Sequence, residues 1–198
     1  MFVFSRIEPQ EVLRKMMHIG LGMTLGLLYY FDYLGKLSLL VMFVCVTLMF
    51  FVYLFYKIPG LHQLMLTVER PKDMARFPGL GAIYFALGFV LAAWLFPKNI
   101  AVASMMVLGF GDAVTVLVGA YGHVPFFNPL KNWEGILAAA FISAVAASFF
   151  VPVGMAIIAS VVSMLVEGFD LKLFGFRLND NITVPVVCGV VLVLLGTI

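Results

Sequence analysis

Long apolar runs alternate with short polar ones along the whole chain, and their spacing predicts its elements. A first helix is expected over about 11–31. There Glu11, Arg14, Lys15, His18 and Gly22 recur at helical steps and share one face. Gly22 and Gly26 form a small-xxx-small pair suited to close helix contact. A second, uniformly apolar helix is expected over about 37–56. The polar segment 57–78 carries Pro59, Pro71 and Pro78, and reads as a short interfacial helix followed by a basic turn with Arg70, Lys72 and Arg76. Helices over about 79–96 and 100–122 come next, the latter with Asp112, Thr115 and Gly119 on one face.

The uncharged run 136–166 is too long for one straight helix, and Pro152 and Gly154 divide it. One half is expected from Lys131 or Trp133 to about 151, with a seam of Ala140, Ala144 and Ser148. The other is expected to reach about 170, with Ser160, Ser163, Glu167 and Asp170 in a stripe. A polar turn over 171–181 leads to a last helix at about 182–198.

Composition turns this pattern into a fold class. Of 198 residues, 64% are hydrophobic and 11% charged, whereas soluble domains are about half apolar and a quarter charged. Runs long enough to cross a bilayer, roughly 20 residues each, make this an all-α polytopic membrane helix bundle. About seven transmembrane helices in a single integral membrane domain, 1–198, are expected. With seven crossings, only Lys36 and Lys98 of the 12 basic residues fall opposite the N-terminal side. That bias places the N-terminus in the cytoplasm. All acids but Asp32 then lie on the cytoplasmic side or in helix halves opening to it, so an active site facing the cytoplasm is expected, in a cell membrane or an ER-type membrane. The early charges Arg6, Glu8, Glu11, Arg14 and Lys15 do not read as a cleavable leader. Cys45 and Cys188 sit inside apolar runs and read as packing residues. No basic run of nucleic-acid type is present.

The candidate chemistry gathers around 109–135. Asp112 is an acid within an apolar helix, a costly placement usually kept for function. Asp112, Glu134, Glu167, Asp170 and Asp180 offer hard oxygen ligands for Mg²⁺ carried on a nucleotide phosphate. Arg14, Lys15, Arg76 and Lys131 can neutralise phosphate oxygens. Phosphoryl transfer needs mainly positioning, charge neutralisation and one acid to take the attacking hydroxyl's proton. No Walker A pattern, HExxH, paired CxxC or GxSxG occurs, which leaves P-loop, zinc and hydrolase-triad chemistry without a basis. The bland readings remain beside these: Asp112 as an ion carrier in a small transporter, Glu134 as an acid serving a helix N-terminus, His18 as an interfacial residue, and Asn181 and Pro185 as the end of a turn.

Four pieces carry a family resemblance: EVLRKMMHIGLG (11–22), GDAVTVLVGAYG (111–122), KNWEG (131–135), and EGFD (167–170) followed by NDNITVP (179–185). In this order they resemble the CTP-dependent lipid kinases, which include dolichol, phytol and yeast-type diacylglycerol kinases and are distantly similar to phosphatidate cytidylyltransferases. Lys131-Asn132 stands where that family often has Lys-Ser. The resemblance implies CTP as phosphoryl donor, with Mg²⁺, and a polyprenol or dolichol-type alcohol as acceptor. It implies Asp112, Lys131 and Glu134 as catalytic residues and Asp112, Glu134 and Asp180 as metal ligands. Arg14, Lys15, His18, Arg76 and Lys131 would bind the nucleotide, and Gly111 and Gly119 would leave room for it. A cytidylyltransferase forming a CDP-lipid is the alternative within the superfamily. Oligomers through the small-residue helix faces are a further expectation.

Overall fold

The computed structural model describes residues 7–169, 172–173 and 176–196, and for Lys72, Arg76 and the two short strands the backbone alone. Nine helices are found among these residues: α1 (Pro9–Tyr30), α2 (Lys36–Phe55), α3 (Pro59–Val68), α4 (Pro71–Arg76), α5 (Leu80–Leu95), α6 (Lys98–Gly119), α7 (Trp133–Ala147), α8 (Val153–Phe169) and α9 (Asp180–Gly196). Seven of them match the expected long helices within a few residues, and the charge-free run 136–166 is split as Pro152 and Gly154 suggest. Two local expectations are corrected. The basic turn after the interfacial helix is a second short helix, α4, because Pro71 sits at its first position, where a missing N–H costs nothing. The polar turn before α9 holds an antiparallel pair, β1 (Lys172–Leu173) and β2 (Phe176–Arg177), in the register Lys172↔Arg177.

The core forms around α6, which packs against α1, α5, α7, α8 and α9. In its most apolar window 72% of the residues are buried, against 17% for α2, which leans on α5. The outward sides of α2, α7 and α8 carry Phe51, Phe55, Phe141 and Ile157 exposed, and Phe149 is exposed in the turn after α7. A surface this apolar suits lipid rather than water. Among the described residues, only α2 and α6 combine the length and composition of a straight crossing; α5, α7, α8 and α9 are apolar but shorter.

Small residues set the closest crossing. A Cβ on Gly22 would lie 3.0 Å from the Gly109 Cα, so α1 and α6 meet backbone to backbone. Gly26 faces Met105 and Met106 on the same helix, and Ala140 and Ala144 are buried within the bundle. These small residues are therefore used for packing inside the chain.

The two ends of the bundle differ. At one end Lys98 bridges the start of α6 to Asp32 after α1, at 2.6 Å, and Tyr30 packs edge-on against Phe150. At the other end lie the start of α1, the end of α6, the start of α7, the end of α8 and the start of α9. The buried pairs Lys15–Asp112 and Lys131–Glu167 and the Glu11–Arg14–Arg70 cluster gather there.

Candidate active site

Two buried ion pairs form the centre. Lys15, 2% exposed, points from α1 to α6 and donates from Nζ to Asp112 Oδ2 at 2.7 Å. Lys131, in the segment before α7, donates to Glu167 Oε1 at 2.6 Å; the Glu167 side chain is fully buried at the end of α8. Thr115, one helical turn after Asp112, bonds back to the Gly111 carbonyl at 2.9 Å and reaches Glu167 Oε2 at 3.5 Å. The two pairs are thereby joined through α6. Burial by itself lowers the Lys131 pKa; the Glu167 carboxylate, helped by Asp180, outweighs it and holds the ammonium above its ordinary range.

His18 makes the third connection. Its Nε2 lies 3.5 Å from Asp112 Oδ2 and 3.3 Å from the Asn181 side-chain oxygen, and its ring packs on Phe85 at 4.6 Å. Asn181 sits in the first turn of α9, next to Asp180. Pro185 lacks the N–H that would bond the Asn181 carbonyl four residues earlier, so that oxygen is freed from the helix ladder. Gly88 of α5 approaches it so closely that any Cβ there would collide. One proline and one glycine thus hold Asn181 against the bundle.

A basic lip stands at the mouth. Glu11 Oε1 takes Arg14 Nη2 and Arg70 Nη2, both at 2.6 Å, and Arg70 adds a second bond from Nε at 2.7 Å. Hydrogen bonding to Glu11 raises the Arg70 pKa further above its usual value. Two guanidiniums on one carboxylate leave a net positive charge beside the cluster.

The structure therefore brings together Lys15, His18, Asp112, Lys131 and Glu167 from the sequence-expected set, with Asp180 close enough to act on Lys131. Arg14 lies at the rim, bound to Glu11. Asp170 and the Arg76 side chain lie outside the described residues. Three expectations are not met in placement. Glu134 does not join the cluster: its carboxylate accepts the backbone N–H groups of His123 at 2.8 Å and Val124 at 3.0 Å, and it pins the loop after α6. The space at Gly111 is taken by the Met164 side chain. The space at Gly119 is taken by Asn132, whose amide donates to the Gly119 carbonyl.

Asn132 itself was read as a departure from a Lys-Ser pattern, and the structure gives it a job. Its side-chain oxygen accepts the Gly135 N–H at 2.8 Å and caps α7. Asn and Ser are near-equal caps, so the exchange preserves the helix start that aims Lys131. Thr115, Asn181 and Asn132 are the polar partners that residue-by-residue reading passed over as site members. Asn181 had a signal, since it lies within the quoted NDNITVP piece.

Among the described residues no three His, Cys, Asp or Glu side chains cluster as a metal cage. The expected set of Asp112, Glu134 and Asp180 is not brought together, because Glu134 holds the loop. Mg²⁺ carried by a nucleotide asks less of the protein: one or two carboxylates beside phosphate oxygens. Asp112 and Asp180, hard oxygen donors at the cluster, fit that smaller demand.

An all-helical chain with apolar outer faces suited to a membrane, and acids and bases paired at one buried end, is the class that fold and site define. No family model and no solved structure matches the chain. It is 28% identical over 219 aligned residues to CTP-dependent diacylglycerol kinase 1 of Eremothecium gossypii, covering 93% of this chain and 67% of that one. It is also 26% identical over 125 residues to an uncharacterised protein, RP860, of Rickettsia prowazekii, 60% of this chain and 59% of that one. The chain is thus distantly homologous to the CTP-dependent lipid kinase family, and that homology supports an enzyme.

Proposed function

We propose that this protein transfers the γ-phosphate of CTP to the hydroxyl of a membrane lipid alcohol, releasing CDP. The observation that carries the reading is the pairing of Lys15 with Asp112 and Lys131 with Glu167 in one buried cluster. These are the charges that phosphoryl transfer requires: cations for phosphate oxygens and a carboxylate for a proton. Lys15 and Lys131 turn from their carboxylates to the nucleotide's phosphate oxygens, and Arg14 and Arg70 at the rim draw the polyanion in. Asp112, released from Lys15, accepts the proton of the attacking hydroxyl, with His18 beside it to share the charge. The acceptor oxygen bonds to the γ-phosphorus as the bond to the β-bridging oxygen breaks, and the electron pair leaves with CDP. Asp180 would hold Mg²⁺ on the phosphates, with Asp112 as a second ligand in the alternative to its proton-accepting role, and the ion would supply further charge neutralisation there.

The relative's name favours diacylglycerol as the first acceptor to try, ahead of the polyprenol or dolichol that the motifs alone suggested. Seven crossings with a cytoplasmic N-terminus belong to the proposal; the basic bias of one side and the gathering of the cluster at one bundle end support them. The test incubates purified protein with γ-labelled CTP or ATP and a panel of diacylglycerol, phytol and polyprenols. Labelled lipid phosphate with CDP is expected. Pyrophosphate release with a CDP-lipid makes it a cytidylyltransferase. Ion flux in liposomes without nucleotide, and no labelled product, makes it a transporter.

A further inference from the structure

A second feature reaches the same histidine from the lipid side. A cavity of about 230 Å³ runs between α1, α2, α3 and α5. Its polar side chains, Arg14, His18 and Glu69, stand at one end. The rest is apolar, with Leu21 and Leu25 on α1, Leu39 and Met42 on α2, and Phe85 and Phe89 on α5. Its wall along α1, from Arg14 to Leu25, is about 16 Å long, roughly half the ~30 Å hydrocarbon core of a bilayer. The slot is therefore one leaflet deep and graded from charged to apolar, as a single-leaflet amphiphile is. Because α2 leans on α5 while α1 packs on α6 and α3, the slot lies at the seam between α1 and α2, where a lipid can enter sideways. Met65 and Val68 of α3 cover it near the headgroup level.

We infer that this slot holds the hydrocarbon chain of the lipid alcohol, with its hydroxyl delivered at His18. The decisive geometry is that His18 lines the slot and also stands 3.5 Å from Asp112. A chain lying along Leu25, Leu39 and Phe89 leaves its polar end where the proposed proton acceptor is. The nucleotide then approaches from the opposite, Lys131 side, so the two substrates meet across Asp112. The inference rests on the kinase reading for the role of the hydroxyl, while the occupancy of the slot stands on its own shape and polarity.

The experiment uses a long-chain primary alcohol bearing a tail diazirine, photolysed with the full-length protein in lipid nanodiscs. Labels are expected on the slot-facing residues of α1, α2 and α5, with competition by unmodified alcohol. Ala86, half-buried on the slot wall, becomes Trp in one variant; Ala82→Trp at the exposed mouth repeats the block if the first fails to fold. Either is expected to cut slot labelling at least about tenfold and to raise the lipid KM with the CTP KM unchanged. Leu137→Trp, on the lipid-facing side of α7, is the control that leaves both intact. Labels on other helices, or wild-type labelling in both Trp variants, overturn the slot and leave the kinase reading standing. If the unmodified protein phosphorylates no alcohol, the kinase reading falls, and labelling still decides the slot, because it needs no turnover.

Discussion

Replacing Lys15 by Met tests the centre of the site most directly. Lys15 is 2% exposed, and its ammonium lies 2.7 Å from Asp112. At an effective dielectric of about 20 the gross attraction at that distance is ~6 kcal/mol. Much of this offsets the cost of taking both ions from water, so the pair is no large net stabiliser. Breaking it is different, because Lys15→Met leaves Asp112 charged among Gly111, Ala113 and α1. Orphaning a buried charge costs about 3–5 kcal/mol. Asp112→Asn strands the Lys15 ammonium in the same way. The double variant removes both charges, and the expected loss falls to about 1–2 kcal/mol, giving a coupling energy of about 4 kcal/mol or more. SDS titration in mixed micelles, followed by Trp fluorescence, measures all three. Trp133, packed at 4.7 Å on Phe126, is the probe nearest the site. All three variants are expected to lose phosphoryl transfer, including the double variant whose stability returns. If Lys15→Met is as stable as the unchanged protein, or if the double variant loses as much as both singles together, the buried pair is not there.

Three further outcomes follow from the surrounding geometry. Lys131→Ala leaves the fully buried Glu167 unpaired, so it should lose stability as well as activity, whereas Lys131→Met with Glu167→Gln should stay folded and inactive; unfolding titrations of both decide it. Pairing with Glu167 holds the Lys131 ammonium above the ordinary lysine range despite its burial, so the pair's contribution is full below that range and is lost as pH rises through the raised value. The stability of the unchanged protein should therefore fall in strongly alkaline solution by more than that of the neutral double variant, and parallel curves would refute the pairing. Glu134→Gln weakens the clamp on the His123 and Val124 amides; faster hydrogen exchange at those two amides with near-normal turnover is expected, and a loss of activity without faster exchange would return Glu134 to the chemistry.

The long helices were readable because their evidence is local. A charge-free run, a proline and a face repeating at helical steps need no knowledge of neighbours. The same holds for the burial of Asp112, Thr115 and Gly119 on one face of α6. Pairing was not readable in this way. The chain says that Lys15 and Asp112 are both deep in helices; it does not say that α1 crosses α6 at Gly22 and Gly109, which is what brings them to 2.7 Å. Glu134 shows the converse. Its sequence neighbourhood looks catalytic, yet it begins α7 beside a loop whose free N–H groups it satisfies, and this local demand takes its carboxylate. Gly111 and Gly119 were expected to leave room for a nucleotide, but the groups that approach them are Met164 and Asn132.

The pairing itself carries a mechanistic consequence. Each lysine expected to meet phosphate is already neutralised by a carboxylate expected to do something else. Under the proposed function, a nucleotide entering this site would not fill bare cations; it would compete with Asp112 for Lys15 and with Glu167 for Lys131. That competition gives binding a second effect. Drawing Lys15 onto a phosphate would part Asp112 from its partner, and would do so only when the donor is in place. Before that, a lipid hydroxyl beside His18 would face a carboxylate already bonded to Lys15. Water in the same position would meet the same paired carboxylate, so on the proposed function the arrangement would couple activation of the acceptor to the presence of the donor and restrain idle hydrolysis of CTP. The order of events would then be set by electrostatics, with no need for a moving lid, and burial of both ion pairs would strengthen the effect, since charges interact more strongly away from water.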